Sequence, residues 1–405
     1  MAESTIAIKT FEFKTRPNKH FIARCERTLE ACRGIYNAAL QERIDCYKIT
    51  GRGLNFAEQN RHLTEARREV EGVSDTYRDI QTDALDRLDK AYANFFRRVT
   101  QGAENPGFPR FKSRDRYDSF GCARRERDPF PIKGDKLKFP GVGSCRVRLS
   151  PYACQMGRCR YIRMIRRPDG WYVQLVCETA RPDPLPATSE SAGLDAGLES
   201  FAVLSTGEEI ERRRFVKEAE DKLAKKQRRM AKKKRGSNRR KKAKRKVALA
   251  HLKTKRVRKR FHFDVANYLV RRFDTIVIEN LNIKGLAGCM LAKSVHDVAW
   301  GAFFAILICK AAEAGRQVES VNPRGTSQEC ARCGHRPEER KTLACRWHNC
   351  EACGLSISRD HNAALNILSR VERTRINAQG QLRSWLNWER GVSINPCSFN
   401  CTEFP

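Results

Sequence analysis

The chain has 405 residues, with 80 Lys and Arg against 47 Asp and Glu, which leaves a net charge of +33. This charge lies far beyond the magnitude of about 2 to 8 that keeps a small domain soluble, so we expect a polyanionic partner. Seventeen cysteines without an apolar leader do not fit a secreted disulfide scaffold, and the longest uncharged apolar run, residues 298–309, is shorter than the ~18 residues of a membrane span, so we expect a cytoplasmic protein.

The first part of the chain predicts a small β unit interrupted by helices. Residues 6–13 alternate as a strand before Arg16 and Pro17, and residues 19–98 carry apolar side chains at three- and four-residue steps, with a break at Gly51 and Gly53. N-P-G-F-P-R-F-K, residues 105–112, ends the helices because proline and glycine cannot continue one. We expect a β unit from residues 1–14 and 105–182 and a helical unit from residues 15–104, either purely structural or nucleic-acid-binding.

Short alternating segments follow, and P-D-G at residues 168–170 predicts a hairpin. R-P-D-P-L-P, residues 181–186, is typical of a linker between domains. Residues 211–260 then contain 26 Lys and Arg against four Asp and Glu, interrupted chiefly by Gly236-Ser237-Asn238. This segment predicts two long basic helices that meet near Gly236, although blocks of such high charge are often disordered.

The remaining elements alternate between strand and helix. G-L-D-A-G-L, residues 193–198, places Asp195 on a strand that returns as a hairpin, and T-I-V-I-E-N-L, residues 275–281, predicts a buried strand that ends at Glu279. An apolar helix at residues 295–312, a strand at 317–321 and a helix from Asp360 follow. We expect the tail, residues 373–405, to be disordered because it has no periodic pattern.

Three acidic residues fall where an RNase H-like nuclease requires them: Asp195 on the first strand, Glu279 on a later strand and Asp360 on the last helix. Phosphodiester hydrolysis with two Mg²⁺ ions about 4 Å apart needs such oxygen ligands, so we expect these three carboxylates to hold the ions. Gly193 and Gly197 would let the substrate backbone and neighbouring strands approach the first acid. Each acid alone has a plainer explanation, such as a helix cap for Asp360.

Two C-x-x-C pairs, each followed by a glycine, have the spacing of a structural four-thiolate zinc site. The proposed ligands are Cys330, Cys333, Cys350 and Cys353. Cys345 and His348 lie in the insert between the pairs and are alternative ligands. A structural zinc is closed to substrate, so this site is expected to stabilise the fold rather than to catalyse.

Several motifs together resemble those of the TnpB family, transposon-encoded relatives of the compact type V CRISPR nucleases. They are G-L-D-A-G-L, I-V-I-E-N-L, T-S-Q-E-C-A-R-C-G and C-x-x-C-G ahead of R-D-H-N-A-A-L-N-I, with R-G-I-Y-N-A-A-L at residues 33–40, A-Y-A-N-F-F at 91–96 and G-F-P-R-F-K at 107–112. The resemblance implies an RNA-guided DNA endonuclease that binds a guide RNA, recognises a target-adjacent motif and cleaves double-stranded DNA at one Mg²⁺-dependent RuvC site.

The fold that the resemblance implies is an α/β multidomain one, with an RNase H-like (RuvC) core, a zinc-ribbon insertion, a small β-barrel wedge unit and a helical recognition unit. The nuclease core would comprise residues 187–329 and 354–372, including the basic helices of residues 211–260, and the zinc insert residues 330–353. A monomer is expected, since one complete site per chain suffices.

The functional residues of the family carry over by motif. Its catalytic acids match Asp195, Glu279 and Asp360, its zinc ligands match the four cysteines, and Arg359 is expected to support catalysis beside the scissile phosphate. Ser358 departs from the family, many members of which have an acid there. Further nucleic-acid contacts are expected from residues of the helical unit, the β unit and the basic helices: Phe56, Arg78, Thr82, Arg110, Lys112, Ser119, Lys233, Arg239 and Lys242.

Three other functions stay open from the sequence. A compact type V CRISPR effector would share the same chemistry and differ in its genomic neighbours. A guided DNA-binding repressor without cleavage would be favoured by the loss of an acid, and none is lost. A DNA-strand-transfer transposase would join strands without RNA.

Overall fold

A computed structural model describes residues 6–212, 215–281, 298–338 and 345–378, with the backbone alone described for residues 215–221 and 372–378. The described residues divide into two compact units, one that ends at Ala180 and one that begins at Arg181. No helix in these ranges is both long and apolar enough to cross a membrane.

The first unit contains an antiparallel sheet of seven strands in the order β2-β6-β7-β1-β5-β4-β3. Its strands are β1 (Ile6–Arg16), β2 (Ser119–Ala123), β3 (Ile132–Lys133), β4 (Lys136–Phe139), β5 (Gly143–Arg148), β6 (Cys159–Arg167) and β7 (Gly170–Ala180). The hairpin predicted at P-D-G is confirmed, because β6 pairs with β7 and Arg167 lies opposite Gly170. β1 pairs with β7 from Ile6 opposite Ala180 to Lys14 opposite Tyr172, which joins the two ends of the unit.

Three helices lie between β1 and β2 in the chain: α1 (Lys19–Thr50), α2 (Phe56–Glu69) and α3 (Arg78–Thr100). The break predicted at Gly51 and Gly53 is confirmed. α1 ends because Gly51 adopts a left-handed conformation with φ 68°, and α2 begins with a capping box between Asn55 and Glu58. The helices and the sheet share one core, in which Phe11, Leu40 and Leu88 are fully buried.

The second unit is built on a five-stranded sheet in the order β10-β9-β8-β11-β12, with β8, β11 and β12 parallel. Its strands are β8 (Ser191–Asp195), β9 (Ala202–Leu204), β10 (Glu209–Ile210), β11 (Thr275–Glu279) and β12 (Gln317–Val321), and a separate antiparallel pair comprises β13 (Trp347–Asn349) and β14 (Ser356–Ser358). The helices are α4 (Phe215–Ala231), α5 (Asn238–Arg272), α6 (Trp300–Ala314) and α7 (Arg359–Ala378).

The interior strand β11 is buried on both faces, as is usual for parallel sheets with helices on either side. Ile276 packs into a core with side chains of α5 and α6, whereas Val277 packs on the opposite face against Ile367 of α7. Because successive side chains of a strand alternate between faces, every second residue of β11 points toward α7.

The two basic helices predicted on either side of Gly236 are confirmed as α4 and α5. Gly236 has φ 82°, and Ser237 caps α5 by accepting a hydrogen bond from the backbone N–H of Arg240 at 3.2 Å. The Arg240 guanidinium donates to the carbonyl oxygens of Met230 at 3.2 Å, in the last turn of α4, and of Lys233 at 2.8 Å, just beyond it. These bonds satisfy carbonyls that a helix end leaves without partners.

Three boundaries differ from the sequence predictions. α7 runs to Ala378, so residues 373–378 of the expected disordered tail are helical, and residues 379–405 lie outside the described residues. The apolar helix begins at Trp300 rather than at residue 295, and residues 295–297 are likewise outside the described ranges. The second half of the predicted linker is packed onto the second unit, since Arg316 donates to the Pro186 carbonyl oxygen at 2.7 Å.

Candidate active site and metal centre

Two of the predicted acids lie at the same edge of the five-stranded sheet. The last registered pair of the parallel strands β8 and β11 is Leu194 with Ile278, and the next residues are Asp195 and Glu279. Adjacent strands are about 4.8 Å apart, so the two carboxylates start from neighbouring positions. Glu279 is two residues beyond Val277 and therefore points to the face of the sheet that α7 covers.

The third acid lies in the first turn of α7. Ser358 is the N-cap of this helix, because its hydroxyl accepts a hydrogen bond from the backbone N–H of His361 at 3.2 Å. Serine and aspartate are both good N-cap residues, so Ser358 can fill this position where many TnpB members have an acid. The Arg359 guanidinium lies 3.3 Å from Oδ1 of the adjacent Asp360.

Gly193 determines how closely α7 approaches the strand that carries Asp195. A Cβ atom on Gly193 would lie 2.1 Å from the carbonyl oxygen of Ala364 and 2.8 Å from the backbone nitrogen of Leu368. Only glycine permits this contact. The prediction that Gly193 makes room for the substrate backbone is therefore wrong, because the helix occupies that space. At Gly197 the added atom would lie 3.0 Å from the Ser200 carbonyl oxygen.

The carboxylates act on one another electrostatically. Burial, and then the negative charges of Glu279 and Asp360, raise the pKa of Asp195 to about 8, while Arg359 opposes the shift. Burial also raises the pKa of Glu279, against the opposing effects of a hydrogen bond from Thr326 and the charge of Arg370. Like charges held together in a partly buried site favour protons or bound cations.

A hydrogen-bond network that the sequence analysis missed connects Glu279 to α7. The Thr326 hydroxyl donates to Oε1 of Glu279 at 2.5 Å, and the Thr326 carbonyl oxygen accepts from Asn366 Nδ2 at 2.8 Å. Asn366 and Asn362 both donate to the carbonyl oxygen of Glu329, at 2.8 and 2.7 Å. Two amides four residues apart lie on one helix face, so the spacing N-A-A-L-N was the available signal.

The four predicted zinc ligands come together. The Sγ atoms of Cys330, Cys333, Cys350 and Cys353 all lie within 4.8 Å of one another. Two of the separations are 3.6 Å, between Cys330 and Cys353, and 3.5 Å, between Cys333 and Cys350. A tetrahedral zinc with Zn–S bonds of about 2.3 Å separates its sulfurs by roughly 3.8 Å, so the four thiols fit this ion.

The two C-x-x-C-G loops of this centre have the same backbone conformation. Gly334 donates its N–H to the Cys330 carbonyl oxygen and Gly354 donates to that of Cys350, each at 2.9 Å, and both glycines have left-handed φ angles, 74° and 71°. The alternative ligands Cys345 and His348 are not members of the four-cysteine group. The Cys345 thiol instead donates to the Trp347 carbonyl oxygen at 3.2 Å.

Among the described residues, the four cysteines form a group whose potential metal-ligating atoms all lie within 4.8 Å of one another. The carboxylates of Asp195, Glu279 and Asp360 do not meet this distance. The acids thus share one face and one electrostatic environment without forming a cage around a single ion.

The structure places the other predicted nucleic-acid contacts in varied surroundings. Lys233, Arg239, Lys242 and Arg110 are exposed, and Phe56 is half-buried against the core of the first unit. Several of the rest already have partners within that unit: Arg78 donates to Thr64, Thr82 to Asn60, Ser119 accepts from Arg87, and the Lys112 ammonium lies 5.5 Å from the Tyr36 ring centre.

Three sequence models of protein families match the chain. One, described as "Probable transposase", matches residues 174–290, and one described as "Cas12f1-like, TNB domain" matches residues 300–367. The third, described as "Helix-turn-helix domain", matches residues 7–52, where the structure has strand β1 and the single helix α1.

Among curated proteins, the chain is 31% identical to a Streptomyces pristinaespiralis protein named "Putative RNA-guided DNA endonuclease", over 89% of both chains. It is 28% identical to "Putative RNA-guided DNA endonuclease InsQ" of Escherichia coli, over 89% of this chain and 92% of that protein. A solved structure described as "Cryo-EM structure of the Cas12f1-sgRNA-target DNA complex" has a similar fold, with a TM-score of 0.55, 18% identity, and coverage of 85% of this chain and 82% of the other.

Proposed function

The chain belongs to the TnpB family of RNA-guided DNA endonucleases, and from this membership we propose that its second unit is a Mg²⁺-dependent nuclease of the RuvC type. The observation that carries the proposal is the placement of the acids. Asp195 and Glu279 end adjacent parallel strands, and α7 brings Asp360 to the same face.

We assign to Asp195, Glu279 and Asp360 the task of holding the catalytic cations through their carboxylate oxygens. Two Mg²⁺ ions, when bound by these residues, would supply the activation of a water and the stabilisation of the leaving oxygen. Arg359, beside Asp360, would contact the phosphate at the cut.

The partners are a guide RNA and double-stranded target DNA. The exposed cations of α4, of α5 and of the turn between them, including Lys233, Arg239 and Lys242, would contact the phosphates of the RNA or of the heteroduplex. The first unit would combine the barrel-like wedge, residues 1–14 and 105–182, with the helical recognition unit, residues 15–104. There Phe56, Arg78, Thr82 and Ser119 would read the motif beside the target, and Arg110 and Lys112 would contact nucleic acid.

The four-cysteine centre, in the insert of residues 330–353, would hold one structural zinc and stabilise the segment between β12 and α7. This role follows from its chemistry, since four thiolates leave a tetrahedral zinc no open position for substrate. It follows also from its connections, because Asn362 and Asn366 on α7 bond to the carbonyl oxygen of Glu329, the residue before Cys330. One nuclease site per chain is consistent with a monomer that cuts both strands in turn.

The test is cleavage by the full chain purified with its co-expressed RNA and directed to a chosen double-stranded target. Asp195→Ala should abolish cutting, and the matched control Glu211→Gln, which removes an exposed acid of the same unit, should not. EDTA should stop the reaction and Mg²⁺ restore it. Cleavage by Asp195→Ala at the wild-type rate would refute the assignment, and strand joining without RNA would indicate a transposase instead.

A further inference from the structure

A group of aromatic rings near the end of α3 is partly exposed to solvent. Phe96 and Phe108 are 58% and 46% exposed, although buried aromatic side chains contribute most to a core. The Phe108 ring lies 5.5 Å from that of Tyr92 and 5.3 Å from that of Phe95, centre to centre, and Phe95 lies 5.2 Å from Phe96. We call Tyr92, Phe95, Phe96 and Phe108 the aromatic platform.

The loop that carries Phe108 is held at both of its ends. Arg98 donates to the Gly107 carbonyl oxygen at 2.9 Å and also to that of Pro106. Asn37 of α1 forms two hydrogen bonds with the backbone of Lys112. Its Nδ2 donates to the Lys112 carbonyl oxygen at 3.0 Å, and its Oδ1 accepts from the Lys112 N–H at 2.8 Å. Phe108 is therefore presented from a fixed backbone, and binding to it costs little ordering entropy.

These contacts also explain two motifs to which the nuclease site gives no role. R-G-I-Y-N-A-A-L supplies Asn37, and G-F-P-R-F-K supplies the loop that Asn37 holds. Within that loop Pro109 is buried, whereas Phe108, Arg110 and Phe111 are exposed. The loop thus turns two aromatic rings and a cation toward solvent.

The charge around the platform is positive. Residues 92–112 contain four Lys and Arg and a single acid, Glu104. Arg97 and Arg110 are exposed, and Arg110 has neither an ion pair nor a hydrogen bond among the described residues. Flat apolar rings beside exposed cations match a partner that combines planar bases with phosphates, whereas a purely apolar peptide would leave the cations without a role.

We propose that the aromatic platform, with Arg110, is a stacking surface for unpaired nucleotides of the guide RNA. The inference rests on the proposed function, of which it specifies one contact. RNA loops and ends present unstacked bases to aromatic side chains. Target DNA, by contrast, arrives as a duplex and then pairs with the guide, so most of its bases stay stacked.

The test measures the affinity of the full-length protein for its own guide RNA. The double variant Phe96→Ala/Phe108→Ala should lose roughly tenfold to a hundredfold in affinity, as stacked bases do when an aromatic partner is truncated. Tyr47→Ala is the matched control, since Tyr47 is 63% exposed on α1 and shares no ring contact with the platform in the described residues. Its affinity should equal that of the wild type.

Further variants separate stacking from charge and from simple apolar contact. Phe108→Trp should keep the affinity and Phe108→Leu should not, because only the aromatic ring has a face on which a base can stack. Arg110→Gln should reduce the slope of log affinity against log salt by about one, and the phenylalanine variants should leave that slope unchanged. Photocrosslinking of the assembled complex should join Phe96 or Phe108 to RNA.

Five results would overturn the inference. Failure of the wild type to bind its guide RNA would refute the proposed function and this contact together. If the wild type bound its guide RNA and the double variant bound it equally well, the contact alone would be refuted. Wild-type affinity of the Phe108→Leu variant would refute it as well. Crosslinks to the displaced DNA strand would assign the surface to DNA. If light scattering showed a dimer for the wild type and a monomer for the double variant, with unchanged RNA affinity, the aromatic platform would be assigned to a second copy of the chain.

Discussion

Replacing Gly193 by alanine should separate cleavage from RNA binding. The new Cβ would lie 2.1 Å from the Ala364 carbonyl oxygen, and a contact of at least 3.0 Å is needed, so α7 must withdraw from β8 by about 1 Å. The obstructing atom belongs to the helix backbone, so no side-chain rotation relieves the clash. Overpacking of this kind typically costs about 1–3 kcal/mol of stability.

The displaced helix carries Asp360, and the strand from which it withdraws ends in Asp195. A shift of about 1 Å in a catalytic group can cost ~100-fold in rate, so we expect a loss of this size in single-turnover cleavage. Guide RNA affinity should stay within about twofold of wild type, because the basic cations of α4 and α5 are unchanged. Rate, affinity and melting temperature are measured on the same preparations.

The matched control is Gly34→Ala, in the interior of α1. A Cβ at Gly34 has no atom within 4 Å outside its own helix, so this variant should cut at the wild-type rate and gain up to about 1 kcal/mol from helix propensity. Gly197→Ala, with a milder contact of 3.0 Å, should fall between the two. If Gly193→Ala cleaved and melted as the wild type does, the close approach of α7 would not determine the site.

Three further outcomes are expected. Thr326→Val removes the donor to Glu279 and should raise the Mg²⁺ concentration for half-maximal cleavage by about tenfold, whereas Thr326→Ser should not; equal values for the two would exclude a role for the hydroxyl. Cys350→Ser should lower both the zinc content and the melting temperature, and unchanged values would make the four-thiolate site untenable. Burial lowers the pKa of His262 to about 4, and its Nε2 bonds the Val298 carbonyl oxygen, so its stabilising contribution is present above pH 6.5 and is lost as the pH falls toward 4. Melting temperatures of His262→Gln should therefore depend less on pH over this window, by an amount equivalent to at most about 3 kcal/mol, and an identical dependence would contradict this account.

Features determined by neighbouring residues could be predicted from the sequence. The hairpin turn at Pro168-Asp169-Gly170 and the helix break at Gly236 follow from local backbone preferences, and both are confirmed. The meeting of the four cysteines could also be anticipated, because C-x-x-C-G prescribes a loop that places two thiolates on one side.

Features that depend on distant partners could not be predicted. Pairing of β1 with β7 joins residues far apart in the chain, and the local sequence of either strand does not indicate which strand is its partner. Gly193 was assigned to the wrong neighbour, because a glycine indicates a close approach without saying what approaches. Thr326 was missed because a single hydroxyl in a loop has no periodicity, and its partner Glu279 is 47 residues away.

Because α7 must pack against Gly193 to bring Asp360 near Asp195, the three acids can come together only after α7 has been synthesised. A ribosome releases β8 and β11, and the basic helices between them, well before it adds the segment from Arg359 that supplies Asp360. A nascent chain can therefore present its cations to nucleic acid while it still lacks one of its three acids. A gene copy that stops before residue 359 would encode the same incomplete state permanently, a protein with its basic helices but without one of the three proposed catalytic acids.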